Sequence, residues 1–219
     1  MNLDIFNDKT TWLFDLDNTL YPEKSGVFEQ IDERMKIYIS QKLKISKEKA
    51  FDLQKLFYKK YGTTLSGLIK HYDVDPEEFL EFVHDINFDN LKKSNKLKEN
   101  LQLLPGKCIV YTNGDSDYAS KILESLGIKP IFTDIFDIRK ADYIPKPTKI
   151  SFDMLLKKYS IIPERTVFFD DLEKNLVYAF QKGITTIHIS DKKNVKKPYI
   201  SFRFKTVINA LDMIIKSME

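Results

Sequence analysis

Two aspartates, Asp15 and Asp17, close the apolar run of TWLFDLDNTLYP with a single residue between them. Carboxylates this near repel one another, and neither favours a strand. Further along stand Thr112-Asn113-Gly114, then Lys146-Pro147, then Asp170-Asp171 with Asn175 shortly beyond. Phosphoryl transfer with a divalent cation calls for a set of this kind. One carboxylate attacks phosphorus to form an acyl-phosphate, which divides hydrolysis into two easier steps. A second protonates the leaving oxygen and later takes a proton from water. Mg²⁺, held by oxygen ligands, offsets the charge of an anion attacking an anion. A lysine, a hydroxyl and backbone N–H groups hold the remaining phosphate oxygens. Each piece alone has a plainer reading, since Asn-Gly is a common turn and paired acids often cap a helix. Their order along the chain argues against coincidence.

The order matters because of the elements that must carry these residues. Short, mostly apolar runs over residues 11–14, 107–111, 166–169 and 185–189 predict strands covered on both faces, with a weaker candidate near 131–132. Helical patterns alternate with them. One is capped by Ser116 and stopped at Gly127, one covers 148–159, and one covers 173–182 before Gly183. A last helix carries Val207, Leu211, Ile214 and Ile215. The expected fold class is α/β, a doubly wound, Rossmann-like parallel sheet. Open parallel sheets bind ligands at the carboxyl ends of their strands. Every candidate residue above follows a strand or stands in a loop facing that edge.

One region breaks the alternation. From residue 26 to 104 the pattern is helical, with Val27, Phe28, Ile31, Met35, Tyr38, Ile39 and Leu43 on one stripe. Asp75-Pro76-Glu77-Glu78 is a helix start, with Asp75 as N-cap, Pro76 at the first position, and Val74 and Phe79 as a hydrophobic staple. The expected organisation is an α/β core from residues 1–22 and 105–219 and an all-helical cap inserted at 23–104.

Composition narrows the setting. The 35 basic and 32 acidic residues leave a net charge of +3, too small to argue for a nucleic-acid polymer or a membrane surface. The single cysteine, Cys108, lies in the apolar run KCIVYT, where a buried strand residue is expected. There is no secretory signal pattern and no run near the roughly 18–20 apolar residues that span a bilayer. A cytoplasmic protein, monomer or homodimer, is the expectation.

DLDNT, then VYTN, KP and FFDD, in this order and spacing, resemble the motifs of the haloacid dehalogenase superfamily of phosphohydrolases. The resemblance implies Asp15 as nucleophile and Asp17 as general acid and base. It implies Thr112 and Lys146 as phosphate-binding groups with Asn113 beside them. Asp171 would complete a Mg²⁺ shell with Asp15 and the Asp17 backbone carbonyl, while Asp170 reaches the metal directly or through water. Dehalogenases of the superfamily lack the second aspartate, so Asp17 favours phosphate chemistry. FDLDNTLYP, YGTTLSGL and HYDVDPEEF further resemble the pyrimidine 5′-nucleotidase branch, whose helical cap is inserted at this place. The sequence departs from that branch at Gly114-Asp115 and at Leu172, without losing a catalytic group.

The implied activity is Mg²⁺-dependent hydrolysis of a phosphate monoester through an aspartyl-phosphate, on a nucleoside 5′-monophosphate. A sugar-phosphate or phosphoglycolate-type phosphatase, a phosphomutase and a non-catalytic binding protein are the alternatives. Tyr21, beside the nucleophile loop, and Tyr61 and Thr64, in the cap, are the expected specificity residues. His71, His84 and His188 show no metal-ligand spacing, and structural roles are expected for them.

Overall fold

Trp12, Leu13 and Phe14 are fully buried, which a strand achieves only when both faces of its sheet are covered. They form β1 (Thr11–Phe14) at the centre of a six-stranded parallel sheet. Its companions are β2 (Lys107–Tyr111), β3 (Phe132–Phe136), β4 (Thr166–Asp170), β5 (Thr185–Ile189) and β6 (Phe202–Phe204), in the order β3-β2-β1-β4-β5-β6. The computed structural model describes residues 4–192 and 196–218. Residues 1–3, 193–195 and 219 of the expected core segments lie outside the described residues. The α/β class expected from the alternating runs is the one observed, and β6 is a strand that the apolar runs did not announce.

Alternate strand residues face two separate cores. Leu13, Ile109, Tyr111 and Phe168 pack with α7 (Lys149–Lys158) and α8 (Glu173–Gln181). Trp12, Phe14, Cys108, Val110 and Phe169 pack with α5 (Asn95–Gln102), α6 (Ser116–Leu126) and α9 (Val207–Met218). Cys108 is buried as expected, and burial pushes its thiol up to about 12. The N-cap of α6 is Asp115 rather than Ser116: its carboxylate accepts from the Tyr118 N–H at 2.8 Å, and the Ser116 N–H is taken by Asp137.

Between β1 and β2 come α1 (Val27–Leu43), α2 (Lys47–Tyr61), α3 (Thr64–Tyr72) and α4 (Pro76–His84), then α5. Asp75 caps α4 as its sequence predicts, accepting from the Glu77 N–H at 2.8 Å, with Val74 and Phe79 both buried. The helix α5 falls within the expected insertion by number but packs on α9. Asn100 donates to Asp212 at 2.8 Å, and Leu97 and Leu101 are buried in the core beneath the sheet.

In the strand order, β1 is flanked by β2 and β4, whose connections run to opposite sides. That reversal leaves a crevice at the carboxyl ends of these three strands. Register brings Phe14 level with Val110 and Phe169, so the residues after each strand arrive together.

Candidate active site

Asp15 is the first residue beyond β1, held in place by its N–H donating to the Phe169 carbonyl at 2.9 Å. Thr19 donates its hydroxyl to Asp15 Oδ2 at 2.8 Å, and the loop turns through Asn18 at a φ of 59°. Leu16 points back into the core, fully buried, so the two aspartates flank a hydrophobic anchor.

Lys146 reaches Asp15 from the loop before α7. Its Nζ lies 2.5 Å from Asp15 Oδ1, 3.1 Å from Asp170 Oδ2 and 2.8 Å from the Tyr111 carbonyl. Burial opposes its charge, but Asp15 and Asp170 outweigh burial and hold the ammonium above its ordinary range. Asn113 fastens this loop: it accepts from the Lys146 N–H at 2.8 Å and donates to the Lys146 carbonyl at 3.3 Å. Thr112 is buried, and its hydroxyl accepts from the Gly114 N–H at 3.0 Å.

Asp15, Asp170 and Asp171 bring one carboxylate oxygen each to within 4.8 Å of one another. Asp170 is saturated, accepting from Lys146, Asn175 and the Leu172 N–H. The Asp171 carboxylate accepts no hydrogen bond among the described residues. Burial first, then the charges of Asp15 and Asp170, raise it well above the carboxylate range. His188 lies with Nε2 2.8 Å from the Asp171 carbonyl, and burial keeps its imidazole below the usual range, so the neutral ring donates to that oxygen. Asn18 Oδ1 and Asn175 Oδ1, in residues that line the same cavity, are buried acceptors that no donor reaches among the described residues. A surplus of hard oxygen atoms over donors suits a divalent cation such as Mg²⁺.

Asp17 faces the other wall. Its Oδ1 accepts from the hydroxyls of both Tyr21 and Tyr118, the latter at 2.5 Å. Burial and the neighbouring Asp15 raise its pKa, against the pull of the two phenols. The space between these walls and the insertion is a cavity of about 310 Å³, lined by Asp15, Asp17, Asn113, Lys146 and Asp171 below and by helices α1 to α4 above.

The family described as haloacid dehalogenase-like hydrolase matches residues 10–176, most of the chain and every element that carries this cluster. The chain belongs to that family. It is a hydrolase whose fold is shared with other members. It resembles the HAD phosphatase from Thermococcus onnurineus with a TM-score of 0.65 at 20% identity, over 95% of this chain and 98% of that one. It resembles the magnesium-bound HAD-hydrolase YfnB of Bacillus subtilis with a TM-score of 0.60 at 17% identity, over 94% and 98%. In sequence it is 26% identical over 192 residues to Phosphate metabolism protein 8 of Saccharomyces cerevisiae, which covers 80% of this chain. The chain spans about 60% of that relative's length.

In this haloacid dehalogenase-like hydrolase the crevice gathers Asp15, Asp17, Asn113, Lys146 and Asp171, as the strand ends imply. Asp170, expected to reach the metal directly or through water, lies in the same acidic cluster, its carboxylate also held by Lys146. Thr112 lies beneath the cavity floor and Asn113 grips backbone. Thr64 lines the cavity from the cap, while Tyr21 is buried under Asp17. Tyr61 does not line the cavity. Its hydroxyl meets His71 Nε2 at 2.5 Å and its ring packs on Phe57, so it serves the cap's own packing. Tyr118 and His84 reach the site without any motif to announce them. Tyr118 sits in the first turn of α6, a position whose helical spacing reads simply as core.

Proposed function

We propose that this hydrolase cleaves small phosphate monoesters, with Asp15 as the attacking carboxylate. Asp15 attacks phosphorus, a P–O bond to the carboxylate forms, and the bond to the leaving oxygen breaks. Asp17 passes its proton to that oxygen and then accepts one from the water that cleaves the aspartyl-phosphate, releasing inorganic phosphate and restoring Asp15. Lys146 neutralises Asp15 and the incoming phosphate oxygens, and Thr112 shapes the phosphate loop beneath them. Asp15, Asp171 and the Asp17 backbone carbonyl would hold Mg²⁺, with Asp170 beside them. When bound it supplies charge neutralisation for the transferring phosphoryl group.

The observation that carries this reading is the division of labour around one cavity. Asp15 is paired with a buried lysine, while Asp17 has no cation within hydrogen-bond reach among the described residues and is kept apart by two phenols. The cap wall supports a nucleoside 5′-monophosphate as substrate, because the exposed ring of Phe28 offers a face on which a base can stack, beside Tyr58, whose ring carries the Lys174 ammonium at 4.1 Å. The test is phosphate release with Mg²⁺ from a panel of nucleotides, sugar phosphates and phosphoglycolate, repeated on Asp15→Asn. Loss of at least about a thousandfold in kcat with an unchanged circular-dichroism melt is expected. Near-normal turnover in that variant overturns the mechanism. Preference for a sugar phosphate would replace the nucleotide reading and leave the mechanism standing.

A further inference from the structure

We infer that Tyr21 and Tyr118 are positioning residues for Asp17, and that His84 carries this positioning from the helical insertion to the core. The inference rests on the proton-donor reading of Asp17. It goes beyond that reading by naming what aims the proton.

Tyr21 lies four residues after Asp17, across the turn through Asn18, whereas Tyr118 comes from a different element, 101 positions away. Both rings are buried, and their hydroxyl oxygens are 3.2 Å apart. A carboxylate only accepts, so each phenol is the donor in its contact with Asp17. Both donate to the same atom, Asp17 Oδ1. An oxygen that accepts two hydrogen bonds has its lone pairs occupied and is a poor seat for a proton of its own. Oδ2 accepts from no described residue. The two phenols therefore sort the carboxyl group, making Oδ1 the carbonyl-like acceptor and Oδ2 the atom that carries the proton into the cavity.

The ring of Tyr118 is itself clamped from the insertion. His84, the last residue of α4, stacks on it with centroids 4.2 Å apart and planes 8° from parallel. His84 Nδ1 lies 2.5 Å from Asp115 Oδ2, while Asp115 Oδ1 accepts from the Tyr118 N–H. One carboxylate thus ties the histidine ring and the tyrosine backbone together. Movement of α4 away from the core would remove the stack, and Tyr118 would lose the face that holds its hydroxyl on Asp17.

A buried tyrosine always seeks an acceptor, so simple loss of stability cannot serve as the test. The decisive readout is how turnover of the full chain with Mg²⁺ depends on leaving-group acidity across a series of substituted phenyl phosphates. Asp17→Asn should steepen that dependence. Tyr118→Phe and Tyr21→Phe should steepen it in the same sense, with phenyl phosphate losing about tenfold more than p-nitrophenyl phosphate. Adding Tyr118→Phe to Asp17→Asn should change nothing further. His84→Ala should reproduce the Tyr118→Phe pattern, and His84→Phe, which keeps a stacking ring, should restore the wild-type slope. A wild-type slope in both tyrosine variants, alongside a steepened one in Asp17→Asn, overturns the inference. So do additive losses in the double variant. An unchanged slope in Asp17→Asn itself would instead remove the proton-donor reading, and the inference would fall with it. A wild-type slope in His84→Ala overturns the link to the insertion alone.

Discussion

Asp170 and Asp171 are adjacent in the chain and opposite in their surroundings. Asp170 ends β4 fully buried and accepts hydrogen bonds from a lysine, an asparagine and a backbone N–H, while the Asp171 side chain accepts none among the described residues. Backbone alternation at a strand end explains the split, since successive side chains leave on opposite sides. Asp170 is thereby committed to holding Lys146, and Asp171 is left with the repulsion of its neighbours.

That repulsion should be visible in stability. Burial and Asp15 raise Asp170 to about 7 against the pull of Lys146, and burial, Asp15 and Asp170 raise Asp171 to about 9. Unfolded carboxyls titrate near 3.8. The metal-free folded chain therefore binds protons that the unfolded chain has released, and these groups destabilise it progressively as pH rises from about 4 to 9. Mg²⁺ should raise Tm more at pH 8 than at pH 5. Metal-free Asp171→Asn should melt several degrees above wild type at pH 8 and gain less from Mg²⁺, at about 2–4 °C per kcal/mol. His188, kept neutral by burial, contributes the opposite slope and cancels in that difference. An equal Mg²⁺ gain at both pH values would contradict the assignment of this cluster to a cation.

Arg139 ties the insertion to the core. It meets Glu77 of α4 at 2.7–3.0 Å and Asp117 of α6 at 3.0 Å, and the Tyr143 hydroxyl also donates to Glu77. These groups are partly exposed, so Arg139→Ala should cost only about 1 kcal/mol of global stability. Its larger effect should be local: faster proteolysis between α4 and α5, followed by mass spectrometry. Swapping the charges, Arg139→Glu with Glu77→Arg, should fail to restore protection, because the new glutamate would face Asp115 and Asp117. Full restoration would show that only the pair matters.

Gly67 sits inside α3, where alanine would ordinarily stabilise a helix by about 1 kcal/mol. Here a Cβ would come within 2.3 Å of the Phe57 ring, which is buried between α2 and α3. Packing outweighs propensity, and Gly67→Ala should lower stability by about 1–3 kcal/mol in chemical denaturation. Phe57→Leu should recover part of that loss in the double variant. A more stable Gly67→Ala would mean that α2 and α3 are not in this contact.

That β1, β2, β4 and β5 exist, and which residues follow them, was legible in the order of residues alone, whereas β6 was not and β3 was only hinted at by residues 131–132. Both are local properties: runs such as TWLF and TVFF are apolar without alternation, and the acids follow where burial stops. The convergence of Asp15, Lys146 and Asp171 was legible for the same reason, since a parallel sheet collects its strand ends at one edge. Tertiary structure decided what no local pattern encodes. It turned Tyr61 into the packing of the cap, set α5 against α9, and brought Tyr118 and His84 from separate helices onto Asp17. Helical periodicity says which face of α4 or α6 is buried but not which residue of another helix will meet it. A tyrosine that orients a catalytic carboxyl therefore reads in sequence like any other core aromatic.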